Sequence, residues 1–264
     1  MIFYSSFQNS YLWLPLIGLI VGLLGSMIGG GGGFVFPPLL ILLFGVPAHV
    51  AVTTSLAATL PICLLGAAGH YRKGNLDFRT GLKFGIAGII GALAGTFITG
   101  MLSQEALKNS FGFYVILLSV FLILNYHIGK RKSGSGNKTR IRKMASASKG
   151  SFFGFTGGII SGTFGTSGTL PVLAGLFAIK LPVKLIAGTS LMVIFINTVS
   201  ALTGHLFLGI IDLTLILFLT AGTAIGAIAG PRITPGLNLP QKEGVIRQTF
   251  AYLMLAFGII LIMS

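Results

Sequence analysis

The chain is 264 residues long, 53% hydrophobic and only 8% charged, with 18 Lys and Arg against four Asp and Glu for a formal net charge of +14. Soluble domains carry about 25% charged residues, so this composition excludes an ordinary soluble domain. The positive charge lies in short loops between apolar runs rather than along one face or arm, which argues against a nucleic-acid partner and suits the cytoplasmic surface of a bilayer.

In chain order, residues 1–11 hold no Lys or Arg and so lack the charged start of a cleaved signal peptide. An apolar stretch over 12–45 follows, interrupted by the run Gly29, Gly30, Gly31, Gly32, Gly33. After the interruption too few residues remain before the next punctuation to span a bilayer, which needs about 20. A membrane span is expected over 48–69, with Thr54-Ser55-Leu56 near its start and Gly69-His70 at its end. The lone Cys63 in this span rules out a disulfide framework and a Cys-based metal site, and no cofactor is expected. Spans over 84–101 and 110–128 follow, then a loop over 130–149 with eight Lys and Arg and the linker-like Ser133-Gly134-Ser135-Gly136. A second broken stretch covers 152–179, interrupted at Gly165-Thr166-Ser167-Gly168-Thr169. Three more spans are expected over 185–204, 213–230 and 248–264.

The same message is written twice. Gly18 and Gly22 return as Gly154 and Gly158, the first glycine run with Pro37 returns as the second break with Pro171, and Val46-Pro47 returns as Leu181-Pro182. Thr54-Ser55-Leu56 matches Thr189-Ser190-Leu191, Gly69-His70 matches Gly204-His205, and Asp77 matches Asp212, mostly 134 to 136 residues apart. A duplicated half built around a glycine-broken apolar segment points to a membrane transporter. The domain boundaries are 1–129 for the first repeat, 130–149 for a basic cytoplasmic linker and 150–264 for the second repeat.

Charge decides how the broken stretches run. With the loop 130–149 cytoplasmic, Arg72, Lys73, Arg79 and Lys83 fall inside. If 152–179 crosses once, 12 of the 18 Lys and Arg lie inside; if it is a hairpin, 17 do and only Lys108 lies outside. The positive-inside rule favours the hairpin. The expected fold is therefore an all-α polytopic membrane protein of two inverted structural repeats. Each repeat has a Gly-broken re-entrant hairpin plus three transmembrane helices, both termini lie outside, and the location is the cell (plasma or inner) membrane.

A helix broken inside a bilayer leaves backbone groups that lipid cannot satisfy, so the break must face protein, water or a ligand. Short helices starting near Phe34 and Leu170 would aim free N–H groups back at the breaks, and such N-termini favour anions. Pro37, Pro38 and Pro171 suit a first helical turn. Two inverted hairpins meeting tip to tip would make one anion site, to which Thr166, Ser167 and Thr169 add hydroxyls. Gly85, Gly88, Gly91 and Gly95, like Gly222, Gly226 and Gly230, read instead as packing seams, which also allow a homodimer.

His70 and His205 are candidates for coupling or for helix C-terminal caps, and the cap is the better fit. Asp77 is expected in a solvated ion pair with nearby Arg and Lys, and Asp212 as a cap for the helix starting near Leu213. Asn197 sits mid-helix beside Thr198 and Ser200, as interhelical glue or as a substrate contact. No Asp or Glu lies well inside any span, so a carboxylate proton relay is absent.

The Gly-rich first helix with its following proline, the Thr-Ser-Leu, the Gly-His and their return after a basic loop resemble the sulfite exporter TauE/SafE family, from about Leu14 to Ile262. The resemblance implies a secondary transporter that exports a small sulfur-containing anion: sulfite, an organosulfonate or sulfoacetate. Carried over, the substrate-binding positions are Gly29 to Gly33, Thr54, Ser55, Gly165 to Gly168, Thr189 and Ser190, to which the residues add Thr169 and Asn197. The second break has Thr166 and Ser167 where the first has Gly30 and Gly31. Alternatives are an anion or small-solute channel and an intramembrane serine protease using Ser167 with His205 as base.

Overall fold

The computed structural model describes residues 2–5, 8–132, 146–208, 211–233 and 239–263. Nearly all of it is helical: α1 (Trp13–Ile28), α2 (Phe36–Phe44), α3 (Ala48–Arg72), α4 (Phe78–Met101), α5 (Gln104–Lys132), α6 (Ser146–Phe164), α7 (Thr169–Ala178), α8 (Val183–Leu208), α9 (Leu213–Ile233) and α10 (Leu239–Met263). A two-stranded parallel pairing joins β1 (Ile2–Phe3) to β2 (Ile211–Asp212). Most of the expected linker, residues 133–145, lies outside the described residues.

Both broken stretches form a helix, a glycine break and a short helix. The second arms, α2 and α7, have nine and ten residues, far short of the roughly 20 a crossing needs. The first arm of 12–45 is longer than its sequence suggests. A 3-10 turn over Asn9–Leu12 extends it, so 9–28 is one of five helices that, among the described residues, are long and apolar enough to cross a membrane. The others are α3, α4, α8 and α9, where spans were expected. The expected spans 110–128 and 248–264 fall on α5 and α10.

By its contacts the chain forms two compact units. One joins Met1–Leu102 with Ala145–Pro235, the other Ser103–Met144 with Gly236–Ser264. In the smaller unit α5 and α10 cross where the glycines stand opposite each other: a Cβ on Gly258 would come 3.0 Å from the Gly112 carbonyl oxygen.

In the larger unit the packing exchanges partners between the sequence halves. α1 lies along α9, α4 lies along α6, and α3 packs on α8. The glycine seams make the first two contacts backbone to backbone. A Cβ on Gly222 would meet the Pro15 carbonyl oxygen at 1.9 Å and one on Gly226 that of Leu19 at 2.2 Å. Likewise Gly158 would meet Gly88 O and Gly162 would meet Ala92 O, each at 2.1 Å. Without a hydrophobic drive between helices in lipid, this close approach is a main source of helix association. A Cβ on Gly85 or Gly88 would point at α8, against Ile196 and Asn197, while the Gly88 carbonyl still lies against α6.

The registers fix direction. α1 pairs with α9 in parallel (15 with 222, 19 with 226, 26 with 230), and α4 with α6 in parallel (84 with 154, 88 with 158, 92 with 162). α3 and α8 run antiparallel, with Gly66 against Leu191 and His70 against Gly188. The end of α3, the starts of α4 and α8 and the end of α9 therefore gather at one end of this unit. There the Lys73 ammonium donates to the Pro231 carbonyl, and the Asp77 N–H donates to Thr189 Oγ1 at 2.9 Å. Arg72, Lys73, Arg79, Lys184 and Arg232 lie at that same end.

The acidic residues at the helix starts are caps. Asp77 Oδ1 accepts the Thr80 N–H at 3.1 Å and its Oδ2 the Thr80 hydroxyl at 2.8 Å, so it closes α4 rather than serving mainly as an ion-pair partner. Burial opposes ionisation of this carboxyl, but the Thr80 bonds, a backbone N–H and the Arg79 charge together hold it below the usual carboxylate range. Asp212 caps α9 through the Thr214 N–H at 2.9 Å, as expected, and also accepts the Ser5 N–H at 3.3 Å. Outward faces are apolar: Ile86, Ile90, Leu93 and Phe97 form an exposed stripe along α4, spaced for one helix face turned to lipid.

Candidate functional site: the crossed hairpin tips

Each first arm stops at a left-handed glycine, Gly29 with φ 80° and Gly165 with φ 66°. The N–H groups of Gly29, Gly30 and Gly31 all turn back on the Gly25 carbonyl, which leaves later carbonyls of α1 without helical partners. The two histidines fill such vacancies. His70 Nε2–H donates to Ser26 O at 3.1 Å and His205 Nε2–H to Gly162 O at 2.8 Å. Both rings are buried. They cap helix C-termini, though of the broken arms packed beside them rather than of their own helices. The acceptors Ser26 and Gly162 are 136 residues apart, like the repeat itself.

The serines of the two Thr-Ser-Leu segments do the same one step further on. Ser190 Oγ–H donates to Gly29 O at 2.6 Å, and Ser55 Oγ lies 2.7 Å from Gly165 O and 2.9 Å from Gly33 O. Each half thus closes the break of the other. The neighbouring threonines behave differently. Thr189 accepts the Asp77 N–H at the start of α4, whereas Thr54, fully buried, has no partner for its hydroxyl.

Beyond these caps the two tips touch. Ser167 Oγ–H donates to Gly30 O at 2.8 Å, the Thr169 hydroxyl reaches the same carbonyl, and the two hydroxyls lie 2.8 Å apart. Gly31 has φ 64°, and a Cβ there would stand 3.0 Å from Cys63 Sγ and 3.2 Å from both Ile194 Cγ2 and Ser167 Cβ. A Cβ on Gly33 would come 2.7 Å from Thr59 Oγ1 and 2.9 Å from the Ser167 nitrogen. Gly32 and Gly168 are both left-handed, the latter as N-cap of α7. Thr166 points away from the junction, its hydroxyl donating to Ile160 O at 3.4 Å.

The structure therefore brings together Gly29 to Gly33, Ser55, Gly165, Ser167, Thr169 and Ser190. The hydroxyls there donate to carbonyls across the junction. Sequence reasoning missed Thr59 and Cys63. Thr59 stands one turn from Ser55, and a search for hydroxyls at helical spacing would have found it. None of the side chains named at this junction is Lys, Arg, Asp or Glu. Asn197 lies one turn along α8 from Ile194, wholly buried and with neither amide atom partnered. Ser167 and His205 do not form a catalytic pair: the serine bonds the other tip and the histidine bonds Gly162. A small opening lined by His49, Thr53, His205 and Leu208 lies at the opposite end of the unit from the basic residues.

The sequence matches the model of the family described as "Sulfite exporter TauE/SafE" over residues 14–261. The chain belongs to that family. It is similar to "Probable membrane transporter protein YdhB" of Bacillus subtilis, 31% identical over 228 residues covering 86% of this chain and 89% of the relative. It is also similar to "Probable membrane transporter protein YunE" of the same organism, 28% identical over 243 residues covering 85% and 88%. A probable membrane transporter protein of Methanocaldococcus jannaschii is 28% identical over 204 residues, covering 74% and 73%. No solved structure matches. The family and its long apolar helices make this protein a multi-pass membrane transporter and not an enzyme.

Proposed function

We propose that the protein is a secondary transporter exporting a small sulfur-containing anion, sulfite or an organosulfonate, which binds where the two hairpin tips meet. The observation that carries this reading is the junction itself. Two broken helices present backbone groups and the hydroxyls of Ser55, Ser167, Thr169 and Ser190 to each other in a membrane interior. Such breaks persist only where protein, water or ligand satisfies them. The short arms α2 and α7 begin beside the breaks, and their N-termini favour an anion.

Alternating access by two inverted repeats, 1–129 and 150–264, completes the reading. Its support is the sense of the helices. α1, α3 and α9 run one way while α6, α8 and α4 run the other, so each element opposes its repeat counterpart. The second arms double back: Phe44 at the end of α2 lies tilted against Tyr11 before α1, ring centroids 6.2 Å apart. With the basic residues of the larger unit at one end, the positive-inside rule makes that end cytoplasmic. Because the seams lock α1 to α9 and α4 to α6, movement falls to the tips and the short arms. An entering anion accepts the hydroxyl hydrogen bonds that Gly30 O now accepts, which couples binding to parting of the tips.

The test is binding and flux with purified protein. Sulfite, sulfate, thiosulfate and a small sulfonate are compared by thermal shift, then sulfite uptake is followed in proteoliposomes under an imposed gradient. Selective stabilisation by one anion, with saturable flux, supports the reading. Flux that does not saturate would make it a channel, and no response to any anion would remove the substrate class.

A further inference from the structure

A buried amide in a membrane protein with no partner on either side is a rare and costly arrangement. Asn197 on α8 is 0% exposed, and both Oδ1 and Nδ2 lack hydrogen-bond partners. Its place is tight. A Cβ on Gly88 would stand 1.9 Å from Oδ1, and one on Gly157 would stand 3.6 Å from Nδ2. The same Gly157 position is 3.2 Å from the carbonyl of Gly168, the residue that caps the start of α7. The amide therefore stands between α4 and α6, beside the second tip. Thr198 Oγ1 next to it in sequence and Ser161 Oγ, one turn along α6 from Gly157, are also buried without partners.

Leaving polar groups unpaired away from water costs about 1–3 kcal/mol each, so a ligand or solvent must satisfy them in the working protein. Hydroxyls adapt, donating or accepting as needed. The amide does not: it always presents a donor at one atom and an acceptor at the other, and a flipped assignment only exchanges them. An anion bearing acceptors alone would satisfy Nδ2 but turn its oxygens against Oδ1. A ligand with an oxygen and an O–H or N–H would satisfy both.

Charge points the same way. Among the described residues no Lys, Arg, Asp or Glu is found among the side chains that meet the tips, and the Born cost of desolvating a dianion is about four times that of a monoanion. Hydroxyl and N–H dipoles alone serve one negative charge far better than two.

We infer that the substrate is a singly charged anion that keeps a hydrogen-bond donor, hydrogensulfite or a hydroxyl- or amino-bearing sulfonate, and that Asn197 selects it. This rests on the reading of the tips as the anion site. Thr198 and Ser161 add adaptable hydroxyls, while Asn197 sets the requirement for a donor.

The experiment compares two isosteres and a dianion by calorimetry on the purified full chain: 2-hydroxyethanesulfonate, 1-propanesulfonate, which has methyl in place of hydroxyl, and sulfate. The hydroxyl compound is expected to bind at least about tenfold tighter than the methyl one, with sulfate weakest, because a site built to hydrogen-bond a hydroxyl rejects the analogue lacking it. In Asn197→Leu and Asn197→Ala the preference should fall to within about twofold. The melting temperature of Asn197→Ala should not drop as it would on losing an interhelical hydrogen bond, since no such bond exists to lose. Equal binding of the two sulfonates, tightest binding of sulfate, or a preference that survives both variants would overturn the inference while leaving the anion site standing. Binding of none of the three, nor of sulfite, would overturn both.

Discussion

The two tips are built on one plan with opposite chemistry. The first, Gly29 to Gly33, has no side chains and offers carbonyls. The second, Gly165 to Thr169, offers the hydroxyls of Ser167 and Thr169 to the Gly30 carbonyl of the first. Where the repeat must turn a helix, the residues agree: Gly29 and Gly165, like Gly32 and Gly168, are left-handed. Where the tips meet, they differ, because two glycine tips would have no hydroxyl donors and two hydroxyl tips would not fit. Gly31 has no room for the side chain that its counterpart Ser167 carries, since Ser167 itself fills that space. The duplication thus kept the turning glycines, changed the backbone at Gly31 and Ser167, where only the glycine is left-handed, and divided the hydrogen-bonding roles.

The largest effect is expected where the tips agree. Gly29→Ala would set a Cβ 2.6 Å from the Ala187 backbone, and Gly165→Ala one 2.5 Å from Val52 O, both at left-handed angles. Each should abolish recovery of folded protein from detergent, as judged by size-exclusion profile. If one folds normally while the other does not, the tips are not structural equals.

A smaller loss is expected where they differ. Gly31→Ala adds a left-handed penalty of about 1–2 kcal/mol and crowds Cys63 and Ser167, so sulfite flux should drop by about tenfold. Ser167→Ala leaves Thr169 on Gly30 O and should reduce flux only a few-fold, about 1 kcal/mol for one hydrogen bond. Equal losses would mean that packing, not the division of donors and acceptors, governs the junction.

The histidines sharpen the comparison. His70→Leu strands the buried Ser26 carbonyl and should destabilise by about 1–3 kcal/mol, whereas His205→Leu should cost less because the Thr99 hydroxyl also lies 3.2 Å from the Gly162 carbonyl; His→Gln should recover part of each loss in thermal melts. A His→Gln variant that melts like the parent but no longer transports would make that histidine a coupling group instead of a cap.

The smallest effect concerns the helix starts. Asp77→Ala and Asp212→Ala should each cost about 0.5–2 kcal/mol as lost N-caps. Asp77 titrates below its ordinary value of 3.8 in the folded protein, so its contribution is complete above that value and disappears as the pH falls through the lower, folded one. Melts of Asp77→Asn and the parent should therefore differ near neutral pH, where the parent carries the charge-dependent stabilisation, and converge in strong acid, where its carboxyl is protonated.

Much was legible in the residues alone. The repeat spacing, the two breaks, the short second arms and the Asp212 cap follow from local rules: glycine at left-handed turns, about 20 apolar residues for a crossing, a carboxylate before a helix. Thr54-Ser55 and Thr189-Ser190 were identified as important, yet only the serines reach the tips. Thr189 instead holds the start of α4, a difference of one position around a helix that depends on which neighbour packs there. The acceptors of His70 and His205 were invisible for the same reason. A carbonyl becomes available only once a helix breaks beside the ring, and Ser26 is 44 residues from His70. The sequence by itself determined where the chain breaks and what each tip can offer, because those depend on neighbouring residues. Tertiary packing decided that α1 lies on α9 and α4 on α6, that the tips cross, and that Asn197 is left without a partner, because each of these is set by which groups meet across the membrane interior.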